Sequence, residues 1–219
     1  MIVTHDPKNM EYILKTRFDN FVKGKEFHQK LAELLGSGIF ASDGDTWKTT
    51  RKTAANIFTT SKFKTFVEDV FRKDMTLFKE RLAEFARSAK EADLQDLFFR
   101  FTLDSFAEVG FGVSTGSLVS GKVPFADAFD HLQSVMDERF INPFWKFTEL
   151  FFGRKKALCS LQIVKNFGSD MVSKRRKDVN LSSKCDLLSL FMNALDKDGN
   201  QYSDSELAEH AINFIIAGT

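Results

Sequence analysis

The stretch Leu34-Leu35-Gly36-Ser37-Gly38-Ile39-Phe40-Ala41-Ser42-Asp43-Gly44-Asp45-Thr46-Trp47-Lys48-Thr49-Thr50-Arg51-Lys52 decides how the rest of the chain is read. It opens on the apolar end of one helix and breaks at Gly36-Ser37-Gly38. It restarts at an acidic cap, Asp43 or Asp45, ahead of a helix that carries Trp47 and Arg51 and ends near Phe58. Glycine ends helices because it takes backbone angles closed to other residues, and a carboxylate before a helix accepts from its free N–H groups. The same pattern of cap, apolar period and glycine stop extends in both directions. Toward the start, Asp6-Pro7 supplies an N-cap and a first-turn proline for a helix to about Arg17, and a second helical stretch covers about Gly24 to Leu35. Met1 to Thr4 reads as a short extended, strand-like stub.

Toward the end, the apolar positions Phe66, Val67, Val70, Phe71, Leu77, Phe78, Leu82 and Phe85 keep helical spacing from Phe63 onward. Asp93 starts the next helix, with Leu94, Leu97, Phe98, Phe101 and Val109 on one face and a stop at Gly110 and Gly112. A polar, glycine-containing loop runs from Ser114 to Val123. Further helices are expected over about 125–140, 155–177 and 183–195. A last one starts at Ser203-Asp204 and is still apolar, at Ile212, Phe214, Ile215 and Ile216, where the sequence stops. The expectation is a mainly α chain, with Thr219 read as a truncation point.

Composition narrows the function. With 31 Lys+Arg against 30 Asp+Glu, the formal net charge is +1, and the broad basic footprint of a nucleic-acid binder is missing. Two cysteines are too few for a disulfide framework. There is no run of the roughly 20 apolar residues needed for a spanning helix, and no signal-peptide pattern opens the chain. The 25 Phe against 2 Tyr and 2 Trp form a large aromatic load without hydroxyls, which suits a thick core or an apolar pocket.

Several patterns carry weaker signals. The run from Asp196 to Glu206 resembles a calcium loop, but Gln201 stands where the sharp turn needs glycine and Leu207 where the bidentate Glu belongs, so it reads as a turn plus an N-cap. Cys159 and Cys185 read as buried small hydrophobes. His5, His28, His131 and His210 share no motif and read as structural or solvated. Lys174-Arg175-Arg176-Lys177 reads as a solvated helix end favoured by the helix dipole. Residues 140–152, rich in Phe and followed by Arg154, Lys155 and Lys156, carry two readings. One is an element dipping into a membrane interface; the other, preferred here, is ordinary helix packing with a solvated basic stretch. Trp47 and Arg51, four residues apart, share a helix face. Both are donors and Arg grips carboxylates bidentately, although such a pair alone is as readily a surface cation–π contact.

In context that pair takes on meaning. The stretch from Leu34 to Lys52 resembles the segment leading into the third lettered helix of the cytochrome P-450 superfamily, the haem-thiolate monooxygenases. Arg139-Phe140-Ile141-Asn142-Pro143-Phe144-Trp145-Lys146 resembles the helix-F end of the branch containing fatty-acid ω-hydroxylases. Leu207 to Gly218 resembles the first half of helix I. The resemblance implies a partial P-450-type helical fold, helices B to early I, with residues 1–219 forming a single incomplete domain equivalent to the amino-terminal half of the family pattern. It implies haem as cofactor, with Trp47 and Arg51 holding the propionates and Ala217 and Gly218 beside the ring. Ile39, Phe40 and Phe214 would line the substrate channel, plain core being the competing reading for these and for Ala217.

No catalytic or metal-ligating residue is assigned. Glu84-Phe85-Ala86-Arg87 lies too early for the family's Glu-x-x-Arg. Neither Cys159 nor Cys185 has the spacing of the ligand loop, so the sequence as given is expected not to turn over. The implied function is hydroxylation of fatty acids or similar long apolar substrates with O2 and electrons from an NADPH-dependent reductase. The alternative is a non-catalytic helical lipid-binding or interaction module. For a complete family member the implied location is the cytoplasmic face of the endoplasmic reticulum membrane.

Overall fold

A computed structural model describes residues 3–121, 123–196 and 198–218. Eleven α-helices are described, and no strand ladder forms among these residues beyond the isolated bridge between Leu195 and Gln201. The expected strand stub falls partly on Met1 and Ile2, outside the described residues, as does Thr219; Val3 and Thr4 are neither helix nor strand.

The first helix, α1 (Pro7–Glu11), has its Asp6 carboxylate accepting from the Lys8 N–H. It continues as a π-helical turn over Tyr12–Thr16. Helix α2 (Gly24–Leu35) stops at Gly36, whose φ of 53° is open to glycine and strained for other residues. Helix α3 (Gly44–Thr59) follows, and after one extended residue comes α4 (Ser61–Ser88), capped by the Thr60 hydroxyl. Helix α5 (Leu94–Phe111) is capped by Asp93 and closed by Gly112 at φ 71°. A four-residue turn, α6 (Ser117–Ser120), sits inside the expected loop. Asp104 holds it by accepting from Ser117 and Leu118 N–H groups. Helix α7 (Pro124–Ile141) leads through the short α8 (Trp145–Thr148) and a π-helical turn, Glu149–Gly153, into α9 (Arg154–Arg176).

The stretch expected over 183–195 is helical only as α10 (Leu187–Met192). Asp186 starts it late because its side chain caps there, accepting from the Ser189 N–H. Helix α11 (Asp204–Ile216) begins with a capping box between Ser203 and Glu206.

Helix α11 is the centre of the molecule. Leu207, Ala208, His210, Ala211, Ile212, Asn213 and Ile215 are all buried, so more than one face is covered. Two glycines let its neighbours approach. A Cβ on Gly168 of α9 would meet the Ala208 Cβ at 3.2 Å, and one on Gly110 of α5 would meet Ile215 at 3.5 Å. The main core surrounds this helix with Leu103, Phe111, Phe129, Val164 and Phe191. A smaller cluster, Phe78, Leu97, Phe101 and Leu118, joins α4 to α5.

Three expectations are corrected. Cys159 is exposed on the outer face of α9. Arg175 is buried, not solvated: its guanidinium pairs with Asp186 at 2.9 Å and donates to the Phe111 carbonyl at 2.8 Å. That pairing satisfies an orphan carbonyl at the end of α5 and a carboxylate that would otherwise be buried alone. Finally, Leu94 and Phe98 share the expected apolar face of α5 yet are about half exposed, although the Phe98 ring packs on Phe78 of α4 at 5.0 Å.

Candidate functional site

The Gly36-Ser37-Gly38 break is a seat for side chains from α11. Glu209 and Asn213, one helical turn apart, both reach it. A Glu209 carboxylate oxygen accepts from the Ser37 N–H at 2.9 Å and from the Ser37 hydroxyl at 3.1 Å. Asn213, fully buried, donates to the Leu35 carbonyl at 3.0 Å and accepts from the Phe40 N–H at 3.2 Å. Side chains at 36 and 38 are excluded sterically, since their Cβ atoms would fall 2.0 Å and 2.1 Å from Glu209 and Asn213. The two glycines are therefore there to admit these side chains as well as to stop the helix.

The start of α3 is fixed by a second set of contacts. Asp43 stands at the N-cap position of α3, but its carboxylate turns back and accepts from the N–H groups of Lys23 and Gly24, both at 3.0 Å. Neither Asp43 nor Asp45 caps α3 with its side chain; Asp43 caps α2 from 19 residues away. The backbone bond from Gly24 is the leading cause that holds its carboxyl below the usual range. Lys23 closes the turn from the other side. Its ammonium donates to the carbonyls of Ser42 at 2.6 Å and Ile39 at 3.2 Å, and partial burial lowers its pKa.

Trp47 and Arg51 do share one face of α3, as the spacing predicts. The indole is clasped between the Phe18 ring, 5.2 Å away, and the Lys23 ammonium at 5.5 Å, beside a cavity of about 240 Å³. Arg51 is exposed and makes no hydrogen bond or ion pair among the described residues. Eleven residues after Trp47 the helical period returns Phe58 to within about 20° of the indole. The Phe58 ring is 44% exposed and lies 5.5 Å from that of Phe214 on α11. One side of the molecule thus carries an unpaired guanidinium and an indole N–H at one end and two phenylalanine rings at the other. Phe58 was not singled out by sequence reasoning; its place in the Trp47–Arg51 stripe was the available signal.

The remaining expected site residues are placed as follows. Ile39 is buried at 8% exposure and Phe40 is 40% exposed. Phe214 is half-buried between Phe58 and Phe191. Ala217 is exposed past the last turn of α11, and Gly218 lies over the Phe106 ring, where a Cβ would come within 2.3 Å. The Asn213 hydrogen bond joins the segment of Ile39 and Phe40 to the helix of Phe214. No hydrogen bond, ion pair or ring contact among the described residues joins Trp47 or Arg51 to Ala217 or Gly218.

A donor pair for carboxylates with an aromatic surface beyond it matches the chemistry of haem, a flat apolar disc with propionates on one edge. Neither cysteine lies on this surface: Cys159 is on α9, and Cys185 lies between the Leu181–Ser183 turn and α10. The residues present fit the edge and one wall of such a group, and no iron ligand is assigned.

Comparison with known proteins places this helical assembly in one family. The family pattern described as Cytochrome P-450 matches residues 1–219, and the chain belongs to that family. It is 39% identical over 224 residues to Cytochrome P-450 monooxygenase cyp1 of Mycosarcoma maydis, a match covering 97% of this chain and 35% of that protein. With Cytochrome P-450 86B1 of Arabidopsis thaliana the identity is 36% over 227 residues, covering 99% and 41%. With Cytochrome P-450 94C1 of the same plant it is 34% over 229 residues, covering 99% and 45%. Among solved structures, the heme domain of cytochrome P-450DA superposes with a TM-score of 0.69 at 20% identity, covering 87% of this chain and 41% of that one. At that identity the likeness is one of fold. The chain spans less than half the length of each of these relatives.

Proposed function

We propose that this chain forms one wall of a haem monooxygenase that hydroxylates fatty acids or similar long apolar molecules. The observation that carries this reading is the α3 face: an unpartnered Arg51 beside a clasped Trp47, continuing into exposed Phe58 and half-buried Phe214. Arg51 and Trp47 would hold the two propionates, a charge-assisted bidentate contact from the guanidinium and a single bond from the indole. Phe58 and Phe214 would cover part of the ring and exclude water from it; Ala217 and Gly218 would bring helix backbone close to it. When bound, haem supplies the iron at which dioxygen is activated, with electrons from an NADPH-dependent reductase.

The choice of substrate class rests on two supports. The segment around Ile39 and Phe40, joined through Asn213 to the helix of Phe214, offers apolar side chains without hydrogen-bonding groups, as a hydrocarbon chain requires. The stretch from Arg139 to Lys146 resembles the helix-F end of the branch containing fatty-acid ω-hydroxylases. Location at the cytoplasmic face of the endoplasmic reticulum membrane is part of the same proposal. No helix among the described residues is long and apolar enough to cross a membrane. The stretch 140–152 instead presents Ile141, Phe144, Phe147, Leu150, Phe151 and Phe152 to solvent, each at least 60% exposed. That supports the interfacial reading over the helix packing preferred from sequence.

The test is haem loading of the protein expressed from its full reading frame, as wild type and as Arg51→Ala and Arg51→Lys. Loss of the bidentate contact predicts roughly tenfold weaker haem retention for Arg51→Ala, with partial recovery in Arg51→Lys. Equal haem content in all three would remove Arg51 from the site. Haem-loaded wild type that hydroxylates no fatty acid with reductase, NADPH and O2 would remove the substrate class.

A further inference from the structure

Beyond the residues that would touch haem or substrate, we propose that Asn213 is a positioning residue for the Ile39–Phe40 segment. The inference rests on the reading of that segment as a substrate wall. Asn213 is completely buried, and its amide is committed on both sides. Its nitrogen donates to the Leu35 carbonyl at 3.0 Å and to the Glu209 carbonyl at 2.8 Å, and its oxygen accepts from the Phe40 N–H at 3.2 Å. The first of these bonds fixes the last residue of α2, and the third fixes the residue whose ring is exposed. The amide therefore spans the Gly36–Gly38 turn and sets where Phe40 starts relative to α11. Gly38 packs directly on the amide, so the loop has no room to shift toward the helix. Phe214, the next residue on α11, is carried on the same backbone. Asn213 thus ties the Phe40 backbone to the helix that carries Phe214, from a place where it neither lines the proposed channel nor touches the cofactor.

Glu209 makes the contrasting contact. It holds Ser37 in the middle of the turn and bonds nothing at Phe40. Replacing Glu209 by Gln keeps an acceptor for the Ser37 N–H, so it serves as the control.

The experiment measures two quantities on the haem-loaded protein from its full reading frame: hydrogen exchange at the Phe40 amide, and equilibrium binding of dodecanoic and hexadecanoic acids. In Asn213→Ala, Phe40 exchange is expected to speed up by at least roughly tenfold, and fatty-acid affinity to fall by about tenfold with haem content unchanged. Glu209→Gln is expected to leave both within about twofold of wild type. A purely structural Asn213 would lower the melting temperature and leave the affinity of the folded protein untouched, and that result overturns the proposal. Should Asn213→Ala fail to fold, the wild-type amide decides. Protection of Phe40 supports the proposal, and exchange at the rate of a free surface amide overturns it. A protein that binds neither acid yet shows the protected, Asn213-dependent Phe40 amide loses the proposed substrate class and retains the positioning role.

Discussion

His210 lies between the rings of Phe191 and Tyr202, at centroid distances of 4.9 and 5.0 Å, and neither of its nitrogens has a hydrogen-bond partner among the described residues. Burial pushes its pKa down to about 4 from an ordinary 6.5, Glu206 opposing only in part. The folded chain therefore binds fewer protons than the unfolded one between those values, and stability falls as pH drops through that window. This one group predicts about 2 kcal/mol less stability at pH 5 than at pH 7.5. Urea unfolding at the two pH values checks it, and His210→Phe should lose that share of the difference. The two cysteines give a simpler residue-scale test: exposed Cys159 should be alkylated before half-buried Cys185 in the native protein, as read by peptide mass. The sequence offered no warning of either environment. A lone histidine or cysteine on a helix carries no period of its own, and only the neighbouring helices decide whether it faces water.

Among the elements, the boundaries of α2, α4, α5, α7 and α11 follow from caps, glycines and apolar period, and residues Gly24–Leu35 coincide with the expected stretch. Where reading failed, a polar side chain served an element other than its own. Asp43 has the position of a cap for α3 and the hydrogen bonds of a cap for α2, a distinction that depends on a side-chain rotation. Asp43→Ala should therefore cost about 1 kcal/mol and loosen the Lys23 and Gly24 amides, with α3 largely unchanged. Amide exchange across residues 23–47 distinguishes the two helices. Because the Asp43 carboxyl titrates below its ordinary value, its contribution is present above about pH 4 and is lost on acidification below that. Arg175 was misread for a related reason: four consecutive cations look like a solvated end, but one of them is turned inward by a helix 100° per residue around.

At the scale of the whole molecule, the exposed lobe over residues 142–153 is tied to the body chiefly by charge. Arg139, 5% exposed, binds Glu149 through two nitrogens at 2.8 Å and also binds Glu33 and the Lys30 carbonyl of α2. Arg154 reaches both carboxylates from α9. The Arg154 bond leads in lowering Glu33 to about 2, so these carboxylates stay ionised across the neutral range. Removing Arg139 leaves Glu149 largely buried and served, among the described residues, by Arg154 alone. Arg139→Leu is expected to destabilise by about 3 kcal/mol or more, where a surface pair would be worth under about 1. Chemical denaturation measures the loss, and protease nicking within the lobe should accelerate in parallel. The candidate site was legible at this scale only as two separate motifs. Trp47 with Arg51, and the apolar run near Phe214, are each visible in sequence; that Phe58 links them is a product of packing.

The turn between α2 and α3 also has a history in time. Leu35 and Ser37 are made early, and the side chains that bond them, Asn213 and Glu209, follow 178 and 172 positions later. Until that late helix exists, the Gly36–Gly38 turn lacks the Glu209 carboxylate and the Asn213 amide, and keeps only its local bonds and those of Lys23. Closing so long a loop costs conformational entropy before any contact rewards it. Assembly of this region is thus expected to be among the slow events of folding. A chain growing from the ribosome would carry an open Ile39–Phe40 segment until α11 emerges, with those side chains exposed to other chains.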